Sequence, residues 1–344
     1  MKFIKKFLLF LVLLAALLAV IGLFLPNTAH VERSTTIGAP SCTVFATVNT
    51  FQTFNEWSPW HEVDPATKYT FSGPPIGPGA RMSWTSQNPD VGNGSQEIVA
   101  SKPCSLIRTK LDFGDEGTAD AFFRLEPAGT ATRVTWGFDT DFGYNLIGRY
   151  FGLFFDSMLG PDYEKGLANL KVFAEQLPKT DFTGLQAEIV TVEPMTIVYV
   201  TAASGKTDSE IEQAIAKAYQ QVMQFMNERE LIQTAPPITI NTAMDDSGYV
   251  FDAAIPVNQA PDNPPAEDSP VKIGLSYDGK ALKFIHRGPY DELPATYEKI
   301  MAYIAAHGFE VAGRSWDQYL NDPMTVPPAE LITHIYFPVD IDFE

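Results

Sequence analysis

A chain of 344 residues with 45% hydrophobic and 19% charged residues is a folded protein, and at this length it builds more than one core. Its formal charge of −18 at pH 7 repels phosphate backbones, and no basic stripe offsets it, so nucleic acid is not an expected partner.

Lys5 and Lys6 precede an uncharged run, FLLFLVLLAALLAVIGLFLP, over residues 7–26. About 20 residues of helix cover the roughly 30 Å of a bilayer's hydrocarbon. The flanking lysines keep the N-terminus in the cytoplasm and carry the body across. The expectation is a single-pass inner-membrane protein: residues 1–28 are the anchor, the lipid bilayer is a partner through 7–26, and the soluble body is periplasmic or otherwise extracytoplasmic. A cleaved signal peptide is the competing reading, but the apolar run is long and residues 27–30 offer no small-x-small cleavage site. Cys42 and Cys104 are the only cysteines. An oxidising compartment permits a bridge between them; the simpler expectation is two separate buried thiols.

Residues 29–178 form the next domain. Val31 to Ile37 alternates as a strand does. Ser41 after Ala39-Pro40 is the expected cap of a short helix carrying Val44, Phe45 and Val48. Next comes an irregular aromatic stretch, FNEWSPWHEVDP, at 54–65. Six strand-like runs follow (69–72, 80–86, 94–101, 106–112, 119–126 and 132–139), divided by Gly/Pro-rich turns. Tyr163, Leu167, Leu170, Ala174 and Leu177 then recur at helical spacing. A curved antiparallel sheet wrapping that helix would leave a hollow beside it, lined by Trp57 and Trp60 with Trp84 and Trp136. His61, Glu62 and Asp64 match no metal-ligand spacing, so neither a metal nor a cofactor is expected.

V-x-R-S-x-x-I-x-A-P-x-x-x-V-F at 31–45, W-S-P-W at 57–60, Gly94-Ser95-Gln96 and Asp162-Tyr163-Glu164-x-Gly166-Leu167 together resemble the helix-grip superfamily of polyketide-cyclase and START-like proteins (SRPBCC). The resemblance implies an apolar cavity between sheet and terminal helix.

Residues 177–184 read as a linker, and 183–344 as the last domain. Strand-rich 187–203 is interrupted at Glu193-Pro194. Thr207-Asp-Ser-Glu210 is a capping box opening a helix with an Ile211, Ile215, Tyr219, Val222, Met226 stripe. Ser204-Gly205-Lys206-Thr207 imitates a phosphate loop, but Val200 stands where that loop needs glycine. Runs 238–244 and 249–257 form a hairpin through 245–248, and acidic, Pro-rich 258–270 connects to a second copy of the same order. Its helix begins near Asp291 with Pro294 in the first turn. The closing runs GYVFDAAIPV (248–257) and ELITHIYFPV (330–339) match class for class, so the unit is an internal duplication.

Gly288-Pro289-Tyr290, Tyr297, Gly313, Tyr319-x-x-Asp322-Pro323 and Thr333-x-Ile335-x-x-Pro338-Val339 resemble the GyrI-like effector-binding domain, also found in bacterial transcription activators. That resemblance implies an aromatic pocket between the halves for amphipathic, often cationic, small molecules, with a carboxylate on the closing strand. Here His334 stands at the carboxylate's place, while Asp252 keeps one at the equivalent position of the first copy. Expected ligand-binding residues are Asp252, His334, Tyr336, Trp316, Tyr319, Tyr290, Trp57 and Trp60.

The fold class is therefore α+β: an N-terminal transmembrane helix, a helix-grip domain, and a duplicated strand-helix-strand-strand domain. With no G-x-S-x-G, H-E-x-x-H or Cys–His constellation, catalytic residues stay unassigned. The expected function is capture of an apolar or amphipathic small molecule. Two alternatives remain: a hydrolase of small electrophiles using His334 with Tyr336 or Tyr319, and a ligand sensor acting through a membrane partner.

Overall fold

The computed structural model describes residues 2–341. Their contacts divide into two compact units, one running to Thr183 and taking in Ala302–Gly308, the other built from Gly184–Met301 and the chain from Phe309.

The first unit begins with α1 (Lys2–Phe24), whose apolar side chains are almost all exposed. It continues with β1 (Thr28–Ile37), α2 (Ser41–Val48), α3 (Phe54–Trp57), α4 (Pro59–Val63), β2 (Lys68–Ser72), β3 (Arg81–Thr85), β4 (Asn93–Lys102), β5 (Leu106–Asp112), β6 (Thr118–Ala128) and β7 (Ala131–Asp141). Helices α5 (Leu146–Gly152) and α6 (Phe155–Gln176) close it. The seven strands form one antiparallel sheet in the order β1-β7-β6-β5-β4-β3-β2. The short turns between β2 and β7 produce this meander, because antiparallel neighbours need only tight links.

Helix α6 lies on the sheet through Tyr163, Leu167, Leu170 and Ala174, the stripe its periodicity sets out. Rings occupy the space beneath it. Trp136 stacks on Tyr163 at 4.0 Å and on Phe123 at 5.1 Å, and Trp57 and Trp60 meet Trp136 edge-on. A cavity beside Phe51 and Phe71 is only about 10 Å³, room for one water.

Two local expectations are corrected. Pro40, not Ser41, is the N-cap of α2; Ser41 sits in the first turn and its hydroxyl bonds Thr132 at 3.1 Å instead. Cys42 and Cys104 are bridged, not separate. The meander carries the β4–β5 turn back over α2, which brings their Cα atoms to 4.3 Å across 62 residues of sequence. Proximity of that kind depends on sheet curvature, which residue spacing does not encode.

The second unit contains β8 (Ala187–Val192), β9 (Thr196–Ser204), α7 (Asp208–Glu228), β10 (Ile238–Asp245), β11 (Gly248–Pro256), β12 (Val271–Leu275), β13 (Gly279–Arg287), α8 (Leu293–His307) up to Met301, β14 (Glu310–Val311), β15 (Trp316–Tyr319) and β16 (Ile332–Asp340). The sheet order is β12-β9-β11-β10-β15-β16-β13-β8, with β14 added on β16. Read outward from the β10–β15 seam, both sides repeat: hairpin strand, closing strand, opening strand. The sheet thus displays the duplication directly. Each opening strand is also flanked by the strand that leads into the other copy.

The capping box of α7 forms as its residues require, with Thr207 and Glu210 satisfying each other's backbone N–H groups. Helix α8 begins at Leu293, two residues later than expected, because Tyr290–Glu292 forms a 3-10 turn first. The links β8–β9 and β12–β13 meet where Met195 and Ser276 exchange hydrogen bonds of 2.8 and 2.9 Å. Met195, Ser276 and Tyr277 of these links line a cavity that makes the sheet face away from α7 concave.

Candidate functional site

Strand period sets up the site. In β15, W-D-Q-Y, alternate residues face opposite sides. Asp317 and Tyr319 point to the side of the helices, and Trp316 and Gln318 to the other. Antiparallel pairing places Asp317 opposite Thr239 of β10 and Ile335 of β16.

On the helix side, Asp317 is 5% exposed. Tyr297 of α8 donates to its carboxylate at 2.6 Å. Asn241 of β10 donates to the Tyr297 oxygen at 2.9 Å and to Ser315 at 3.1 Å, and the Tyr249 hydroxyl donates to the Asn241 carbonyl oxygen. Tyr219 of α7 shares a hydrogen bond of 3.2 Å with Thr239 of β10, the residue paired with Asp317 across the seam. Tyr290 meets Tyr319 edge-on at 5.5 Å. A single carboxyl therefore lies among four tyrosines, Tyr219 and Tyr249 from the first copy and Tyr297 and Tyr319 from the second, with Tyr290 behind Tyr319.

Among the described residues Asp317 forms no ion pair. Burial pushes its pKa up to about 7, although hydrogen bonds from Tyr297 and Asn241 pull the other way. Burial, then the Asp317 charge, raises the Tyr297 and Tyr319 hydroxyls well above the ordinary phenol value. The arrangement is an aromatic box whose acid holds its proton well above the ordinary carboxylate range. A cation entering it would take the place of the proton.

The opposite, concave face holds a cavity of about 230 Å³ lined by Ile238, Ile240, Leu275, Tyr277, Arg314 and Trp316, among others. Trp316 stacks on Tyr336 at 4.7 Å with nearly parallel planes. Asp252 is buried at its side and fully engaged. It accepts from Arg314 at 2.7 Å and from Thr201 at 2.6 Å. His334 is partly buried; burial, then Lys283 and Arg287, lowers its pKa, so it is the neutral ring near pH 7. The His334 and Tyr336 rings are 6.3 Å apart and edge-on.

The expected ligand residues thus fall in three places. Asp252, Trp316, His334 and Tyr336 share the concave face. Tyr319 and Tyr290 belong to the tyrosine box on the other side of the same sheet. Trp57, 2% exposed, and the partly exposed Trp60 belong to the ring stack of the first unit.

Asp252, expected to supply the carboxylate, sits on β11, and a second buried acid, Asp317, sits on β15. Asp252 is engaged by Arg314 and Thr201, whereas among the described residues the buried Asp317, one strand before His334, has no ion pair. The signal for it was present in the alternation of W-D-Q-Y, which puts an acid and a tyrosine on the face opposite a tryptophan.

Residues 185–340 match the family model described as a GyrI-like small molecule binding domain, and residues 28–175 match that described as polyketide cyclase / dehydrase and lipid transport. The chain carries one domain of each kind. No curated protein matches. Among solved structures, the C-terminal domain of EcmrR is similar at 19% identity over 46% of this chain and 99% of that one, with a TM-score of 0.39. EcmrR in an EcmrR–DNA complex is similar at 19% identity over 57% and 72%, with a TM-score of 0.41. A protein described as a hydrolase from Listeria innocua is similar at 17% identity over 45% and 92%, with a TM-score of 0.32.

Proposed function

We propose that this protein is a membrane-anchored, extracytoplasmic receptor for amphipathic small molecules, and that its GyrI-like unit takes a cationic one over Asp317. One observation carries the reading: a buried carboxyl, ringed by tyrosines from both copies of the repeat, with no cation of the described chain beside it. Leaving a buried acid without a countercharge costs stability, and such a cost is retained where a ligand supplies the charge. The tyrosines add quadrupole attraction for an organic cation and apolar surface for its tail.

The address rests on two further features. Phe3–Phe24 is long and apolar enough to cross a membrane, as anchors and signal sequences both are, and Lys5 and Lys6 precede it. The Cys42–Cys104 bridge suits an oxidising compartment.

The test is calorimetric titration of the purified protein with a benzyl-trialkylammonium cation and with its uncharged carbon isostere. The cation is expected to bind at least tenfold more tightly, about 1.4 kcal/mol. Asp317→Asn is expected to abolish that preference while leaving the isostere unchanged. Equal affinity for both compounds in both proteins would refute the assignment.

A further inference from the structure

Residues 142–158, FGYNLIGRYFGLFFDSM, contain ten large apolar or aromatic side chains and only two charges, Arg149 and Asp156. They span the turn after β7, α5 and the first turn of α6. A segment so apolar is normally core. Here much of it faces outward: Tyr144, Ile147, Phe151, Leu153, Phe154 and Met158 are each more than half exposed.

This patch is continuous with α1. Gly22 is buried against α5, where an added Cβ would lie 3.2 Å from the Tyr150 ring and 3.3 Å from Leu146. The Tyr150 hydroxyl donates to the carbonyl of Leu18 at 2.7 Å. Leu18 is six residues before the end of α1, so α5 reaches back along it by about 9 Å. Arg149 donates to the carbonyls of Leu23 and Leu25 at 3.1 and 3.3 Å, and to Gly143 at 2.6 Å. Those are carbonyls at the helix end, where an α-helix has no donors of its own. In water they need no such help; in lipid each one left bare costs several kcal/mol. The only cation of the patch is thus spent on backbone that a membrane would otherwise penalise.

We infer that α5 and the segment around it form a second membrane contact, lying in the outer interface beside α1 with Ile147, Phe151 and Phe154 among the acyl chains. This rests on the reading of α1 as a membrane anchor. The depth fits, because interfacial helices sink their apolar face roughly 5–10 Å. The chemistry fits as well: aromatic rings favour the headgroup level, and the acidic body rules out anchoring by attraction to anionic lipid. The contact is with hydrocarbon and is indifferent to headgroup charge. It holds the first unit against the bilayer surface.

The experiment uses the full chain in phosphatidylcholine vesicles. Cys42 and Cys104 are bridged, so a single introduced cysteine takes a fluorescent label. Labels go at Ile147→Cys, Phe151→Cys and Phe154→Cys. Leu13→Cys reports on α1, and Val172→Cys, an exposed site on α6 about 25 Å of helix from its start, is the aqueous control. Labels at 147, 151 and 154 are expected to be quenched by doxyl-lipid and shielded from iodide, in neutral and anionic vesicles alike. The label at 172 should respond to iodide only. A buried label at 13 with iodide-accessible labels at 147, 151 and 154 overturns the second contact and leaves the anchor intact. An iodide-accessible label at 13 overturns both. Shielding from iodide without lipid quenching means that protein, not lipid, covers the patch, and also overturns the inference.

Discussion

Tyr297 on α8 donates a hydrogen bond to the carboxylate of Asp317 on β15 at 2.6 Å, inside a box where burial, opposed by the hydrogen bonds from Tyr297 and Asn241, raises that acid to about 7. The sign of the resulting pH dependence is fixed. In the unfolded chain the acid ionises near 3.8, whereas in the folded protein it keeps its proton to about 7. Between those values the folded state binds the extra proton, so stability falls as pH rises through that window and levels off above it. The full effect is on the order of 4 kcal/mol. Asp317→Asn removes it. Wild type and variant are expected to melt together near pH 4, while the variant melts higher at pH 8. Thermal unfolding at several pH values checks this; curves that stay parallel would sink it.

The bridge between Cys42 and Cys104 closes a loop with a sequence separation of 62. Loop-closure entropy for that length is worth about 4 kcal/mol, acting on the unfolded chain. Reduction, or Cys42→Ala with Cys104→Ala, should lower the unfolding free energy of the first unit by that order, read as a lower denaturant midpoint. A midpoint unchanged by reductant would show that the thiols are not joined.

Gly166 lets α6 settle onto the rings below. A Cβ there would lie 2.7 Å from Trp136 and 3.1 Å from Pro59. Trp136 is locked between Tyr163 and Phe123, so it cannot retreat. Gly166→Ala raises helix propensity, yet it is expected to destabilise the unit by about 2 kcal/mol through overpacking. Near-UV circular dichroism should show the tryptophan environment altered. A variant more stable than wild type would mean that the helix has room to shift.

What could be read from residues alone divides by range. The capping box at Thr207, the 238–257 hairpin and the α6 stripe follow from contacts within a few residues, and all three formed as expected. β12 was not read as a strand: Val271–Leu275 has no strong alternation and pairs only with β9, far back in the chain. Asp317 escaped because a four-residue strand gives no indication of which face the helices will cover. The same ambiguity grouped Trp316 with Tyr319, which the pleat sets on opposite sides. The apolar 142–158 segment has the composition of core, and only its exposure separates it from one.

Asp252 and Arg314 provide the last prediction. Asp252 is buried at 5% exposure, while Arg314 is half-exposed and approaches from the rim of the 230 Å³ cavity at 2.7 Å. Arg314→Ala strips a buried carboxylate of its countercharge and leaves it only Thr201 and water that enters at the rim. The expected loss is about 2 kcal/mol, less than for a fully buried pair because solvent already screens the guanidinium. Asp252→Asn keeps the shape and removes the charge, so it should cost less, and adding Arg314→Ala to it should cost little more. Chemical denaturation of all four proteins completes the cycle, with a coupling of about 1 kcal/mol or more expected. Strictly additive losses would mean that the pair is a surface contact, and that the charge of Asp252 is offset by something other than Arg314.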